Sequence, residues 1–218
     1  MTPLSAPLIF GPNDYRKINW PNGEGSLEAV ARHPRSGGSF LWIAGLQTIA
    51  RDCRVPSFGG CDHCILLLDG SGLALSQDGE KACLVRPGNP VFSLDGDTPV
   101  DCSPHNGVTR AFVMTLDRSS VMGTLTLLAN GANSTFSGHV ILAYAASGPC
   151  RILPQNQQAL VLPAGHTAII HGNLAIIEAD SRDRAIFATL LARQGRIIWQ
   201  SVPTEDSSHA KMHTSKRE

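Results

Sequence analysis

The side chains that could do chemistry in this sequence are concentrated in one short segment, Gly59-Gly60-Cys61-Asp62-His63-Cys64. An imidazole such as that of His63 can donate a hydrogen bond or, when charged, pair with a carboxylate. Thiols and carboxylates can also bind divalent metals. The segment therefore indicates a binding site for a small ligand or, as the alternative, a surface turn that binds nothing.

The spacing within this segment disfavours a metal site. Side chains alternate in direction along a strand, so Asp62 and Cys64 would face one side and Cys61 and His63 the other, leaving only mixed pairs of ligands. Cys61 and Cys64 form a C-x-x-C pair, but neither a second pair nor a helix start accompanies it, as a zinc or redox site would need. We expect no metal, no cofactor and no catalytic residue.

Two further segments carry candidate binding residues. Trp20 and Asn22 lie in a glycine-containing loop, where Trp20 could cover a pocket or anchor the N-terminal strand, and Asn22 could close a turn through its own backbone. Asp95 and Asp97 flank Gly96, and paired carboxylates can act as acid and base or simply form a turn.

Composition limits the possible functions. The chain has 218 residues with 18 Lys+Arg and 18 Asp+Glu, so its formal net charge is zero, and no basic cluster precedes the C-terminal tail. Nucleic-acid binding normally needs such a cluster. No apolar run is long enough for a membrane span, and residues 1–15 lack the pattern of a secretory signal. We expect a cytoplasmic protein whose six cysteines are free thiols.

The elements that must position these residues are predicted to be strands. The 21 Gly and 14 Pro are spread through the chain and separate short runs rich in Val, Ile, Leu and Thr. Runs about ten residues apart predict a sandwich or barrel, although residues 26–32 could be a helical turn or a strand. A faint repeat, offset by about 76 residues, begins at Leu66 and again at Leu142. Its rhythm of strand, Gly turn, strand and Pro-Gly turn resembles that of cupin barrels, which predicts two of them.

Several motifs together resemble the HutD/Ves family of bicupin proteins. They are Trp20-Pro21-Asn22-Gly23-Glu24-Gly25, Phe40-Leu41-Trp42, Phe58-Gly59-Gly60-Cys61-Asp62-His63 with the strand that follows, and Phe92-Ser93-Leu94-Asp95-Gly96-Asp97. The resemblance covers residues 15–118 well and the second half mainly in strand rhythm. It implies a small-molecule-binding protein, regulatory in role and associated with histidine utilisation or stress responses, without a defined reaction.

The chain departs from the family pattern at four positions. Ile43 and His63 stand where the family has Arg, and Ala111 and Val113 stand where it has Asp and Asn. If those groups line the family's pocket, part of that pocket is lost here and the ligand can differ. The fold inference does not depend on them.

These observations predict an all-β bicupin with two jelly-roll-like barrels. The expected division is an N-terminal extension (1–14), a first barrel (15–118), a second barrel (119–202) and a disordered tail (203–218). The predicted ligand-binding residues are Trp20, Asn22, Asp62, His63 and Asp97, and the ligand is expected to be a small molecule such as a small carboxylate. The alternatives are a metal-dependent cupin enzyme and a scaffold or dimerisation protein with degenerate pockets. No nucleic acid or membrane partner is expected, and a homodimer is possible.

Overall fold

Alternating strands and turns make up nearly all of the computed structural model, which describes residues 6–35, 39–88, 91–129, 133–172, 175–179 and 184–192. Within these ranges there are nineteen strands, a single 3-10 helix (Pro12–Asp14) and no α-helix. The prediction of an all-β chain is confirmed. In the same ranges no helix is long and apolar enough to cross a membrane. The predicted tail (203–218) lies outside the described residues.

The strands are numbered in chain order. They are β1 (Leu8–Phe10), β2 (Arg16–Asn19), β3 (Ser26–His33), β4 (Trp42–Ile49), β5 (Cys53–Val55), β6 (Cys61–Asp69), β7 (Leu73–Gln77), β8 (Cys83–Val85), β9 (Phe92–Asp95), β10 (Val100–Pro104), β11 (Thr109–Asp117), β12 (Val121–Ala129), β13 (Asn133–Phe136), β14 (Val140–Ala145), β15 (Cys150–Pro154), β16 (Leu160–Leu162), β17 (Thr167–His171), β18 (Ala175–Ala179) and β19 (Arg184–Ala192). Residues 26–32, undecided from sequence, therefore belong to a strand.

Four antiparallel sheets arise from these strands, two in each half of the chain. In the first half, a first inner sheet has the order β2-β3-β4-β11-β6-β9 and a first outer sheet the order β5-β10-β7-β8. In the second half, a second inner sheet has the order β1-β17-β14-β19-β12 and a second outer sheet the order β13-β18-β15-β16. The two halves thus have the same kind of construction, one inner and one outer sheet.

Three apolar cores separate the four sheets. One core lies between the first outer and first inner sheets, one between the two inner sheets, and one between the second inner and second outer sheets. Strand β4 shows how the sequence produces this layering. Trp42, Ala44 and Leu46 face the second inner sheet, whereas Ile43 and Ile49 face the first outer sheet. The central strands of the inner sheets are buried on both faces, so β4 and β14 are apolar at most positions.

The N-terminal segment joins the two halves. Strand β1 pairs with β17, so that residues predicted as an extension form the edge of the second inner sheet. Next to it, the hydroxyl of Tyr15 donates to the carbonyl oxygen of Gly165 at 2.6 Å and lies 2.9 Å from Oγ1 of Thr167. The chain then enters β2 in the first half, so residues 8–19 connect sheets from both halves.

Candidate functional site

A cavity of about 230 Å³ lies between the first inner and first outer sheets. Its walls are mostly apolar, with Ile18, Leu27, Ile65, Leu73 and Val100 among the lining residues. A small apolar cavity with a few polar groups is the usual form of a small-molecule site. It is therefore the candidate functional site of the described residues.

Of the three positions where an apolar residue stands in place of a polar residue of the family, two face this cavity. Ile43 and Val113 line it, and Ala111 lies in the apolar core beside it. Arg and Asn at these positions would add polar groups to the wall, and the residues present here make it apolar. The cavity accordingly favours a ligand with apolar surface.

His63 is the central polar group of the cavity and comes from β6. Nδ1 of its ring lies 2.8 Å from Oγ1 of Thr115, its register partner on β11. The rings of Phe58 and His63 pack edge-on, with their centroids 5.5 Å apart. Burial lowers the pKa of His63 to about 4, because the charged ring would lose its hydration, so the ring is neutral near pH 7. Among the described residues Nε2 has no hydrogen-bond partner, and it lies beside Gly96.

Gln47 adds an amide to the same wall. It lies on β4, faces the cavity, and is only 7% exposed. No side-chain hydrogen bond of Gln47 is found in the part of the chain that the structure describes, and its amide is not among the fully buried polar groups that lack a partner. A nearly buried amide normally has a partner, so Gln47 is a second group that a ligand can satisfy.

Arg32 supplies positive charge to the cavity. Its Nη2 donates to the carbonyl oxygen of Ser39 at 2.7 Å, while its buried Nε has no hydrogen-bond partner. No carboxylate among the described residues forms an ion pair with it, and no Asp or Glu lines the cavity. A cation without a counter-ion at an apolar cavity favours an anionic ligand.

Sequence reasoning missed Arg32, because a β-bulge changes the face on which it lies. Leu27 and Ala29 face the first outer sheet, and simple alternation would then place Arg32 on the opposite face with Val30. The register shifts between Ala29 and Ala31, so Val30 is an extra residue and Arg32 pairs with Ile43 on the cavity side. The only signal in the sequence was a basic residue directly after the apolar run Ala29-Val30-Ala31.

Of the loop residues predicted to bind ligand, Trp20 lines the cavity and Asn22 does not. The indole of Trp20 is 6% exposed and packs over Gly25, where a side chain would collide with the ring. Asn22 is exposed. Its Nδ2 donates to the carbonyl oxygen of Arg54 at 2.6 Å, and its Oδ1 accepts from the backbone N–H of Glu24. Trp20 thus forms wall, and Asn22 holds the loop that carries it.

Asp62 and Asp97 lie outside the cavity, contrary to the predicted pocket. With Asp95 they surround Arg118, whose guanidinium reaches Asp62 at 2.7 Å, Asp97 at 2.9 Å and Asp95 at 2.6 Å. We call these four residues the Arg118 cluster. Hydrogen bonds from the backbone of Gly60 and from Arg118 lower the pKa of Asp97. The cluster thus places three carboxylates around one cation, an arrangement suited to fixing turns.

The Arg118 cluster acts on the cavity indirectly. The carboxylate of Asp97 accepts from the backbone N–H of Gly60, and Arg118 Nη2 donates to the carbonyl oxygen of Cys61 at 2.8 Å. These bonds secure the segment before β6, which carries Phe58 against the ring of His63. The cluster therefore positions one end of the cavity wall.

Metal-binding residues are not brought together in the described ranges, where no group of three or more His, Cys, Asp or Glu side chains could hold an ion. Cys64 lies in the core between the two inner sheets, and His63 faces the cavity. Neighbouring side chains on a strand point in alternate directions, and this separates Cys64 from His63.

The low pKa of His63 predicts a pH-dependent stability. The unfolded ring has a pKa near 6.5 and the folded ring one of about 4, so the unfolded state binds more protons between these values. The neutral ring of His63 therefore contributes at most about 3 kcal/mol to the free energy of unfolding. This contribution is complete above pH 6.5 and is lost as the pH falls towards 4. Urea unfolding at about pH 7 and about pH 4.5 should show a smaller loss of stability in His63→Gln than in the wild type.

His105→Gln is the matched control for this measurement, because His105 is exposed. It should keep the wild-type dependence on pH. An equally steep loss of stability in His63→Gln would contradict a neutral, buried ring at this position.

Comparison with known proteins identifies the relatives of this chain. A family model described as HutD matches residues 12–187. An uncharacterised 21.2 kDa protein from the hutC 3′ region of Pseudomonas putida is 23% identical over 191 residues, which is 87% of this chain and 100% of the relative. A conserved protein of unknown function from Pseudomonas aeruginosa PAO1 has a TM-score of 0.76 at 24% identity, covering 85% of this chain and 99% of that chain.

A second solved structure, that of HutD from Pseudomonas fluorescens SBW25, has a TM-score of 0.72 at 23% identity and covers 87% of this chain and 100% of that chain. Cupin barrel proteins share the fold at lower identity. At these identities the structural likeness shows the fold alone. It confirms the predicted cupin-like architecture, while the division into two barrels at residue 118 stays a prediction.

Proposed function

The chain belongs to the HutD family, and from that premise we propose that it binds a small organic acid in the cavity of its first half and acts as a regulatory, ligand-sensing protein. The carboxylate of the ligand would meet Arg32, and its body would lie against the apolar wall. Gln47 and Nε2 of His63 would accept or donate the remaining hydrogen bonds.

The observation that carries this proposal is the unpaired cation at an apolar cavity. Arg32 has no carboxylate partner among the described residues, and a carboxylate in the cavity would give its guanidinium one. The neutral ring of His63 adds a hydrogen-bonding group without adding a second charge. The site therefore suits an acid with one carboxylate near Arg32 and a polar group near His63.

The size of the cavity limits the ligand. At about 230 Å³ it is smaller than the roughly 300–1,000 Å³ of sites for drug-sized molecules. A small metabolite acid fits this volume, whereas a nucleotide or a peptide does not. The relative encoded in a hutC 3′ region supports a role in histidine utilisation, and such a role would make an acid of that pathway the ligand. A link to stress responses has only the family resemblance behind it.

A thermal-shift panel tests the proposal. It holds urocanate, formylglutamate, histidine, other small carboxylates and divalent metals, and each acid is matched by its uncharged amide. A ligand at about 100 times its Kd should stabilise the protein by roughly 2.7 kcal/mol. For a chain of this size the expected rise in Tm is about 5–10 °C. The acid should raise the Tm and its amide should not.

The other outcomes distinguish the remaining hypotheses. Equal shifts with an acid and its amide would contradict recognition of charge by Arg32. A shift with a metal alone would favour the metal-dependent cupin enzyme. No shift with any compound would favour a scaffold or dimerisation protein that does not use its cavity.

A further inference from the structure

Two cysteines lie directly opposite each other in the first outer sheet. Cys53 on β5 and Cys102 on β10 are register partners in an antiparallel pair. Opposite residues in such a pair have Cα atoms about 4.5 or 5.5 Å apart, and both separations lie within the 4.4–6.8 Å span that a disulfide bridges. The backbone therefore already holds these two residues at a distance suited to a covalent bond.

The two thiols differ in a way that suits sequential chemistry. Cys53 is partly exposed, whereas Cys102 is 3% exposed and lines the cavity. Interaction with the Cys102 side chain lowers the pKa of Cys53, and the same interaction together with burial raises the pKa of Cys102, whose thiol donates to the carbonyl oxygen of Val100 at 3.7 Å. The accessible thiol is thus the more readily ionised one, and the thiolate is the attacking form.

We propose that Cys53 and Cys102 form a reversible thiol–disulfide pair that a low-molecular-weight disulfide oxidises. The thiolate of Cys53 attacks one sulfur of the reagent, breaks its S–S bond and releases one equivalent of thiol, leaving a mixed disulfide on Cys53. The thiol of Cys102 then loses its proton to solvent and attacks Sγ of Cys53, which expels the second equivalent. The protein loses two hydrogens and two electrons, and the reagent becomes two thiols.

The other cysteines do not offer such a pair. Cys61 and Cys64 are three residues apart on β6, so their side chains leave opposite faces of the strand. Cys83 on β8 is two strands from Cys102, because β7 lies between them, which places it roughly 9–10 Å away. Cys150 belongs to the core of the second half.

Sγ of Cys102 belongs to the cavity wall, so oxidation would alter the binding site described above. The disulfide itself does not rest on the proposed function. It can form whether or not the cavity binds an acid, and its test does not use a ligand of the cavity.

The test treats the folded full chain with glutathione disulfide, blocks remaining thiols and digests without reductant for mass spectrometry. Trypsin leaves Cys83 and Cys102 in one peptide, since Pro87 blocks cleavage after Arg86, so mapping is done in Cys83→Ser. The expected product has lost the mass of two hydrogens and links the peptides of Cys53 and Cys102. When Cys102→Ala is added to Cys83→Ser, the reaction with glutathione disulfide should stop with one glutathione on Cys53. When Cys53→Ser is added instead, Cys102 should stay unmodified.

The proposal is overturned if the folded protein gives glutathione adducts without the internal link, or if the link forms only after unfolding in urea. A persistent adduct on Cys53 while Cys102 is present would also overturn it, because the second thiol would then be out of reach. Addition of dithiothreitol should restore both thiols.

Discussion

Replacing Arg32 with methionine should weaken the binding of a small carboxylate to the cavity by about 10- to 100-fold. Hydrogen bonds to charged groups contribute roughly 1.5–3 kcal/mol, and methionine keeps much of the length of the side chain without its charge. Isothermal titration calorimetry with an acid that responds in the thermal-shift panel measures the change in Kd. The uncharged amide of the same acid should lose no affinity, because it does not use the charge.

Two further variants make this result specific. Arg32→Lys should lie between the wild type and Arg32→Met, because an ammonium keeps the charge but not the planar donor geometry. Arg16→Met removes an exposed cation on the neighbouring β2 that does not line the cavity, and it should bind as the wild type does. An unchanged Kd in a folded Arg32→Met protein would disprove the assignment of Arg32.

Replacing Phe112 with alanine should lower the free energy of unfolding by about 3–5 kcal/mol. Phe112 is completely buried between the two inner sheets, and its ring lies 5.5 Å from that of Tyr144 on the opposite sheet. The variant leaves a void where the halves of the chain meet, and partial relaxation does not fill it. Thermal unfolding should show a Tm lower by about 6–20 °C.

Val161→Ala serves as the control for Phe112→Ala. Val161 is 64% exposed on β16, and its truncation should change stability by no more than about 0.5 kcal/mol. A loss of less than about 1 kcal/mol in Phe112→Ala would mean that the contact between the two inner sheets contributes little to stability.

The strands could be predicted from the sequence because their residue pattern is local. Short runs of branched residues between Gly and Pro turns marked β4, β6, β11 and β14. The ends of the strands are less evident from this pattern, because β6 begins at Cys61, among the polar residues that precede its apolar run. Which sheet each strand joins depends on pairing between distant residues, and no local pattern records that β1 pairs with β17.

The candidate site was harder to predict, since it depends on which face of each strand meets the cavity. Alternation separates Asp62 from His63, but it does not say which of the two faces inwards. The structure turns His63 to the cavity and Asp62 to Arg118. Arg32 reaches the cavity only because of the bulge at Val30, which disrupts the period on which sequence reasoning depends.

The position of β1 also has a consequence for the order in which the chain can fold. During synthesis this strand precedes the strand it pairs with by roughly 150 residues, the separation of Tyr15 from Gly165. Closing so long a loop is a late and entropically costly event. Until then Leu8 and Ile9, still 41% and 48% exposed in the finished fold, belong to an unpaired strand. A nascent chain therefore carries β1 unpaired until β17 has been made, and an unpaired strand is open to pairing with a neighbouring chain.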